Sequence, residues 1–347
     1  MNIEQAREIA NAVLYEGYLL YPYRQSALKN RQRWTIGVVY PREYSEANGG
    51  VDPWAMQTEC LILGDADTTL DLYARFLHIF LRNESPSEDT AGTVHAWSNA
   101  SNTWEWSIAS RLAGEPQEEG LEREVRLVNC SLSELAEQPQ SLDFAFPGEQ
   151  DGEEAAAGTG VRDLRPLKGS LSVAVTPVDT DLFKLTVRIE NHTPETAAVA
   201  GLRNGLMLHC FIASHAILQV HQGAFVSLMD PPERMREAVS ACRNLHTWPV
   251  LIGTEGASDL MLSSPIILYD YPQIAPESPG PLFDGTEIDE ILTLRILTLT
   301  DEEKQEIRQR DRRAREILER TERLTPEALM KLHGTIRRMR PLEEGER

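Results

Sequence analysis

The segment LSVAVTPVDTDLFKLTVRI, residues 171–189, carries the clearest structural signal in the chain. On both sides of its centre, apolar residues alternate with small, polar or charged ones. A period of two is that of a strand with one buried face. The central residues 177–181, PVDTD, are rich in residue types that form turns. The segment therefore predicts an antiparallel β-hairpin.

The hairpin belongs to a run of short apolar segments that continues to residue 299. Turn-forming residues separate these segments, and each is short enough to be a strand. We expect one helix among them, near residues 233–243. This half of the chain predicts a mainly antiparallel, sandwich-like β-domain. Its further predicted strands are residues 215–220, 224–228, 248–252, 265–269 and 292–299.

The N-terminal half mixes helix and strand signals. Residues 3–16 place apolar side chains on one face at helical spacing, which predicts an amphipathic helix. Residues 70–81 fit both a strand and a helix pattern, and we favour the strand. The other predicted strands are residues 35–40 and 58–63, and the predicted exposed loops are residues 82–92, 114–120 and 148–160.

The C-terminal residues predict two helices. Thr300 and Glu303 form a capping-box pattern, in which each side chain accepts a hydrogen bond from a free backbone amide. Thr325 and Pro326 mark the start of a second helix, because proline is tolerated at the first helical position. We expect a C-terminal helical hairpin that packs on the body of the protein or on a partner.

Together these signals predict an α+β, β-rich fold with mainly antiparallel sheets, a sandwich-like second half, an N-terminal helix and a C-terminal helical hairpin. A length of 347 residues suggests about two domains and an extension. Residues 148–160, GEQDGEEAAAGTG, lack any large apolar residue and are typical of a linker. The predicted division is a mixed α/β domain, residues 1–147, an acidic glycine- and alanine-rich linker, residues 148–165, a β-domain, residues 166–299, and a helical extension, residues 300–347.

The formal net charge of the chain is −20. Phosphate backbones and anionic membrane surfaces repel such a chain, so we expect no nucleic-acid partner and no membrane insertion. No apolar stretch approaches the roughly 18 residues of a membrane-spanning helix, and the first residues lack the pattern of a secretion signal. The four cysteines are widely spaced, which favours free thiols. We therefore expect a cytoplasmic protein.

A local reversal of charge lies between residues 24 and 42, where no acidic residue occurs. Guanidinium groups and aromatic rings suit an anionic ligand or an acidic partner surface. Alternatively, these residues pair with the chain's own surplus carboxylates. The candidate partner- or anion-binding residues are Arg24, Lys29, Arg31, Arg33 and Trp34, and Arg42 ends the patch.

Cysteines and histidines are concentrated between residues 209 and 246. His209, His215 and His221 share parity and would point the same way on one unbroken strand. Cys242 and His246 are four residues apart and would share a helix face. These residue types form tetrahedral metal sites, although buried cysteines and hydrogen-bonded histidines are the alternative. The candidate metal ligands are His215, His221, Cys242 and His246, and the sequence leaves any other cofactor open.

Catalytic motifs are not apparent in the sequence. Cys210 adjoins His209, but neighbours in a strand point to opposite faces and would not form a nucleophile–base pair. The patterns of serine hydrolases, phosphate-binding loops, dinucleotide-binding folds and zinc proteases do not occur.

A proline-rich segment that ends in an acidic run occupies residues 263–291. Prolines stiffen a loop, and carboxylates suit a basic partner surface or a hard cation. The alternative is a rigid connection that caps the β-domain. The candidate partner-binding residues here are Asp270, Glu277, Asp284 and Glu287.

Several segments resemble an uncharacterised bacterial family that is associated with accessory gene clusters of NiFe uptake hydrogenases. They are YEGYLLYPYR at residues 15–24, KNRQRW at 29–34, FVSLMDPPE at 225–233, and the segment at 262–304 that begins LSSPIILYDYPQ. The resemblance spans most of the chain and implies a cytoplasmic accessory role, such as assembly, maturation or subunit docking. It transfers no catalytic residue.

We therefore favour a non-enzymatic accessory or adaptor protein, with a hydrogenase subunit or maturation factor as its expected partner. One alternative is a metal-binding protein that uses the cysteine and histidine group. Another is an enzyme that acts on an anionic small molecule held by Arg24, Arg31 and Arg33.

Overall fold

A computed structural model provides the fold of the chain. The chain divides into two compact units, of which the first comprises residues 1–18 and 34–273 and the second comprises residues 19–33 and 274–347. The residues that the structure describes are 3–14, 34–83, 117–151, 161–194, 203–273, 299–301, 304–305, 318–319 and 321–323.

Strands predominate over helices in the described residues. The helices are α1 (Ile3–Leu14), α2 (Arg42–Ala47), α3 (Leu132–Glu137), α4 (Arg203–Met207) and α5 (Arg236–Ser240), and a 3-10 turn at Glu233–Met235 precedes α5. The strands are β1 (Ala55–Leu63), β2 (Thr69–Asn83), β3 (Gln117–Ser131), β4 (Gln140–Phe146), β5 (Glu149–Asp151), β6 (Val161–Leu164), β7 (Leu167–Pro177), β8 (Leu182–Asn191), β9 (Ile212–His221), β10 (Ala224–Phe225), β11 (Trp248–Leu251) and β12 (Leu260–Ser264).

The predicted hairpin lies in a five-stranded antiparallel sheet. β7 and β8 pair directly, with Val173 opposite Val187, so residues 171–189 form the expected hairpin. The order of the strands is β10-β1-β8-β7-β4. Alternate apolar side chains of β7 and β8 face the core, which is the burial that the period-two pattern predicts.

The second sheet is built on the long strand β2. This strand confirms the prediction for residues 70–81. β3 pairs along one edge of β2, whereas β9 and then β6 pair along the other edge. In the described part of the chain this sheet has seven strands, in the order β11-β12-β9-β2-β6-β5 with β3 on the far side of β2.

The core lies between the two sheets. The rings of Phe76 and Phe211 stack there, with centroids 4.4 Å apart. The opposite face of the second sheet is covered by α1, whose residues Ala6, Ala10 and Val13 belong to a second apolar cluster. The helix predicted at residues 3–16 is therefore confirmed through Leu14. A β-rich fold with mainly antiparallel sheets and few helices is likewise confirmed.

Both sheets take strands from both predicted domains. β1 pairs with β8 in one sheet, and β2 pairs with β9 in the other. The sheets therefore do not follow the predicted division into residues 1–147 and 166–299. Residues 148–165 are not simply a linker either, because β5 and β6 pair with each other and β6 pairs with β2. Pairing between distant strands leaves no local pattern in a sequence, which explains the difference.

Three local predictions need correction. Residues 114–120 were expected to be a loop, but β3 begins at Gln117. Residues 35–40 make only an isolated bridge, between Val39 and Phe211, instead of a strand. Residues 265–269 follow β12 without forming a strand. In each case the segment becomes a strand only if a neighbouring strand pairs with its backbone, and the sequence of one segment does not specify that neighbour.

Only a few residues of the second unit are described. Residues 301, 304–305, 318–319 and 321–322 are helical, and the Lys304 ammonium lies 3.4 Å from the Glu322 carboxylate. The predicted C-terminal helical hairpin otherwise lies outside the described residues, as does most of the strand predicted at residues 292–299.

Candidate functional site

The described members of the basic patch contact other groups of the chain. Trp34 is buried, and its indole N–H donates to the Glu118 carboxylate at 2.6 Å. Arg42 donates to Glu46 at 2.7 Å, and its guanidinium lies 4.5 Å from the centre of the Trp54 ring. These contacts agree with the alternative of internal pairing. Outside the described residues lie Arg24, Lys29, Arg31 and Arg33.

Asp270 anchors the chain that follows β12. One carboxylate oxygen accepts the backbone N–H of Leu251 at 2.8 Å, and the other accepts the hydroxyl of Ser227. The next residue, Tyr271, donates its N–H to the Leu251 carbonyl at 2.7 Å. Asp270 was predicted to contact a partner, but in the structure its carboxylate serves this internal connection. Glu277, Asp284 and Glu287 lie outside the described residues.

His215, a predicted metal ligand, is fully buried. Its Nδ1 lies 2.8 Å from the Ala213 carbonyl, so this nitrogen carries the proton and donates. Burial, and secondarily the positive charge of Arg75, lowers the pKa of His215 to about 3. Its Nε2 has no hydrogen-bond partner within the described structure. His215 is therefore a neutral residue of the packed interior.

The other predicted metal ligands are dispersed. His221 is exposed and lies 3.0 Å from the Asp71 carboxylate, about 20 Å along β9 from His215 at the usual rise per residue. α5 ends at Ser240, so Cys242 and His246 do not share a helix face. Among the described residues, no three histidine, cysteine or acidic side chains are placed to hold a metal ion. The predicted metal site is therefore not formed by these ligands.

The four thiols are in protonation states unsuited to nucleophilic attack. Burial raises the pKa of Cys60, Cys130 and Cys210, and it raises the pKa of Cys242 to about 11. All four are free cysteines. A thiolate is the reactive form of cysteine, so these side chains behave as small apolar groups.

One cluster that the sequence did not reveal resembles a hydrolase triad in composition. The hydroxyl of Ser170 lies 2.9 Å from Nε2 of His192, and a Glu190 carboxylate oxygen lies 3.4 Å from both atoms. In a triad, the carboxylate binds the other imidazole nitrogen and orients the ring. Because Glu190 and Ser170 contact the same nitrogen, the geometry is that of a hydrogen-bond cluster and not that of a catalytic triad.

Several large apolar side chains are exposed around β11, the terminal strand of the second sheet. Ile266 and Leu268 pack on the apolar cluster beneath α1, and the alternate residues Ile267 and Tyr269 are 68% and 77% exposed. Trp248, at the start of β11, is 44% exposed. We call this the β11 surface; it comprises Met229, Leu245, Trp248, Ile267 and Tyr269.

The segments that carry the β11 surface are joined by backbone and side-chain contacts. Trp248 is in register with Ser264, the last residue of β12. Residues 265–271 then return to β11, where Tyr271 bonds to Leu251. The Ser227 contact with Asp270 brings the segment containing Met229 next to residue 270. The β11 surface is therefore held on a fixed backbone.

Part of this surface lies in two predicted strands. Trp248 was placed in a predicted strand, and Ile267 and Tyr269 were placed in another. Trp248 lies in the terminal strand of the sheet, and Ile267 and Tyr269 alternate with the packed residues Ile266 and Leu268. Both positions depend on pairing and packing and not on local pattern. The run Ile266–Tyr269, which holds apolar residues without alternation, was the available signal.

Comparison of the chain with protein-family models and with curated protein sequences yields no match. The resemblance to hydrogenase accessory proteins therefore rests on the quoted segments alone. No helix within the described residues is both long and apolar enough to cross a membrane.

Proposed function

We propose that the protein is a non-enzymatic accessory protein that binds a protein partner through the β11 surface. The observation that carries the proposal is the exposure of Trp248, Ile267 and Tyr269 on one anchored backbone. Large exposed apolar side chains grouped on one part of a protein surface mark interaction sites. Tryptophan and tyrosine are also the residue types that contribute most to the binding energy of protein interfaces.

The described polar residues support a binding role over a catalytic one. The thiols are protonated, and His215 is neutral and enclosed. In the Ser170 cluster, Glu190 contacts the same imidazole nitrogen as Ser170, which is not the geometry of a catalytic triad. These groups stabilise the fold. The proposal accordingly assigns no reaction to the protein.

The resemblance gives the proposed partner, a subunit or maturation factor of a NiFe hydrogenase in the cytoplasm. A chain with a net charge of −20 favours a partner with a basic rim around an apolar centre, because opposite charges accelerate encounter and exclude competitors. The apolar side chains of the β11 surface would then contribute most of the affinity.

Titration calorimetry with the purified hydrogenase subunits and maturation factors tests the proposal. The double variant Ile267→Ser with Tyr269→Ser should bind at least roughly thirtyfold more weakly, which corresponds to about 2 kcal/mol for lost anchor residues. Val178→Ser, at the β7–β8 turn, is the matched control, because Val178 is also an exposed apolar residue. Equal affinity of the double variant and the control would refute the proposed surface.

A further inference from the structure

β4 is the terminal strand of the first sheet, next to β7. The two strands pair without a bulge, from Gln140 opposite Val173 to Phe146 opposite Leu167. In an antiparallel pair, the backbone groups of successive residues point alternately toward the neighbouring strand and away from it. Every second residue of β4 therefore directs its N–H and C=O toward the outer edge of the sheet.

The hydrogen bonds of β7 show which residues of β4 point outward. The Lys168 carbonyl accepts from the His192 N–H at 2.9 Å, and the Lys168 N–H donates to the Thr193 hydroxyl at 3.0 Å. Both backbone groups of Lys168 therefore point away from β4. Ala145 is opposite Lys168, so its own backbone groups point away from β7. By the same alternation, the outward-pointing residues of β4 are Ser141, Asp143 and Ala145.

The outer edge of β4 is open. Its three outward-pointing residues are exposed, and their outward N–H and C=O groups make no hydrogen bond within the described structure. Proteins usually protect such edges with proline, a bulge or a covering segment. β11 is protected in this way, because Pro249 has no N–H and the backbone groups of Leu251 bond to Asp270 and Tyr271. β4 has neither a proline nor a bulge, so another strand has access to its edge.

The two faces of β4 differ in chemistry. Phe144 and Phe146 face the core, where their ring centres lie 6.0 and 5.9 Å from that of Phe76. Leu142 shares this face and is 36% exposed. Successive side chains of a strand alternate, so Asp143 lies on the opposite face. Its exposed carboxylate has no ion-pair partner among the described residues. An added strand would therefore meet apolar groups on one face and an unpaired negative charge on the other.

We propose that the β4 edge binds an extended peptide segment of a partner protein as an additional antiparallel strand. Backbone hydrogen bonds to the three outward-pointing residues supply the affinity, as in other complexes formed by strand addition. The residue opposite Asp143 is basic, because opposite charges on facing strands attract. Its two neighbours are apolar, because they lie beside Leu142 and Phe144 on the core face.

A second copy of the chain matches this edge less well. Antiparallel pairing of two whole β4 strands would place Asp143 opposite Asp143, and like charges directly opposite are destabilising. Each chain also has a net charge of −20, which opposes self-association. The β4 edge and the β11 surface belong to different sheets, and neither proposal depends on the other.

Fluorescence anisotropy with the full-length protein tests the edge with a labelled synthetic peptide, Val-Thr-Val-Arg-Val-Thr-Val amide. In the proposed register its arginine is opposite Asp143 and directs its backbone N–H toward β4. An N-methyl group on that nitrogen should weaken binding about tenfold or more, because a hydrogen bond between the strands is lost. An N-methyl group on the following valine is the matched control and should leave the affinity unchanged, since that N–H points away from β4. Equal affinities of the two methylated peptides would overturn the proposal.

Two variants of the protein test the same contacts from the other side. Ala145→Pro removes an outward N–H and retains the hydrogen bonds to β7, so binding of the peptide should be lost. Asp143→Lys should weaken the arginine peptide and strengthen its glutamate counterpart. An unchanged preference between these two peptides in Asp143→Lys would contradict the assigned register.

Hydrogen exchange of the wild-type protein locates the bound peptide without any variant. Saturating peptide should slow exchange at the amides of Ser141, Asp143 and Ala145, which are free in the unbound edge. Unchanged exchange at these amides, or no binding of the unmethylated peptide, would overturn the proposal. Protection of the same amides that increases with protein concentration, without peptide, would also overturn it and would identify a second copy of the chain as the occupant.

Discussion

Acidification should destabilise the protein because His215 is buried in its neutral form. Burial, followed by the charge of Arg75, lowers the pKa of His215 from 6.5 to about 3. The unfolded chain takes up a proton on His215 below pH 6.5, whereas the folded protein does so only near pH 3. The unfolded state therefore binds more protons between these values, and stability falls as the pH is lowered through this window.

The size of this loss of stability follows from the difference between the pKa values of His215 in the unfolded and the folded protein. Each pH unit below the unfolded value lowers the free energy of unfolding by about 1.4 kcal/mol. At pH 5 the loss through His215 is about 2 kcal/mol, and at pH 4 it is about 3 kcal/mol. His215→Asn removes the titration and retains an N–H donor for the Ala213 carbonyl.

Urea unfolding of the wild type and His215→Asn at pH 7 and pH 5 measures this effect. We expect the wild type to lose about 2 kcal/mol more than the variant between the two pH values. Burial also lowers the pKa of His209, but this contribution is common to both proteins and cancels. An equal loss in both proteins, or a larger loss in the variant, would refute the reasoning.

Three further outcomes follow from the packing of the first unit. Asp270→Ala should lower the free energy of unfolding by about 1–3 kcal/mol, because the Leu251 amide loses its acceptor. Hydrogen exchange at that amide should become faster. Unchanged exchange would contradict the anchoring role of Asp270. Gly169→Ala should lower the free energy of unfolding in urea by about 1–3 kcal/mol, because a Cβ there would lie 2.6 Å from the Glu190 carbonyl oxygen. Gly120→Ala should lower it less, because the added Cβ would meet only the Leu77 side chain, at 3.3 Å. The thiols should react with an aromatic disulfide reagent in urea but only slowly in the native state, and rapid native labelling would show that the cysteines are more accessible than the structure indicates.

Local sequence patterns predict those elements whose burial matches a simple period. Residues 171–189 and α1 each present one apolar face, and both form as expected. The sequence did not predict β3, because its first half contains several acidic residues and a glycine, which are uncommon in strands. Its stability comes from pairing with β2 along nearly its whole length, and no property of β3 alone reveals that partner.

The candidate sites depend even more on pairing than the fold does. The β11 surface lies at the edge of the second sheet because β11 is the terminal strand and pairs with β12. The predicted metal site is not formed because His215 and His221 lie far apart along β9 and because α5 ends before Cys242. The shared parity of His209 and His215 is broken by a bulge at Ala213, which has a positive φ of 51°.

The most direct test of the proposed docking role is site-specific photo-cross-linking in cells that produce a NiFe hydrogenase. A photoreactive phenylalanine analogue replaces Tyr269 in one protein and Val178 in another, since both positions are exposed. The proposal predicts a cross-link from position 269 to a hydrogenase subunit or maturation factor, identified by mass spectrometry, and none from position 178. Equal cross-linking from both positions, or no cross-link to a hydrogenase protein from position 269, would contradict it.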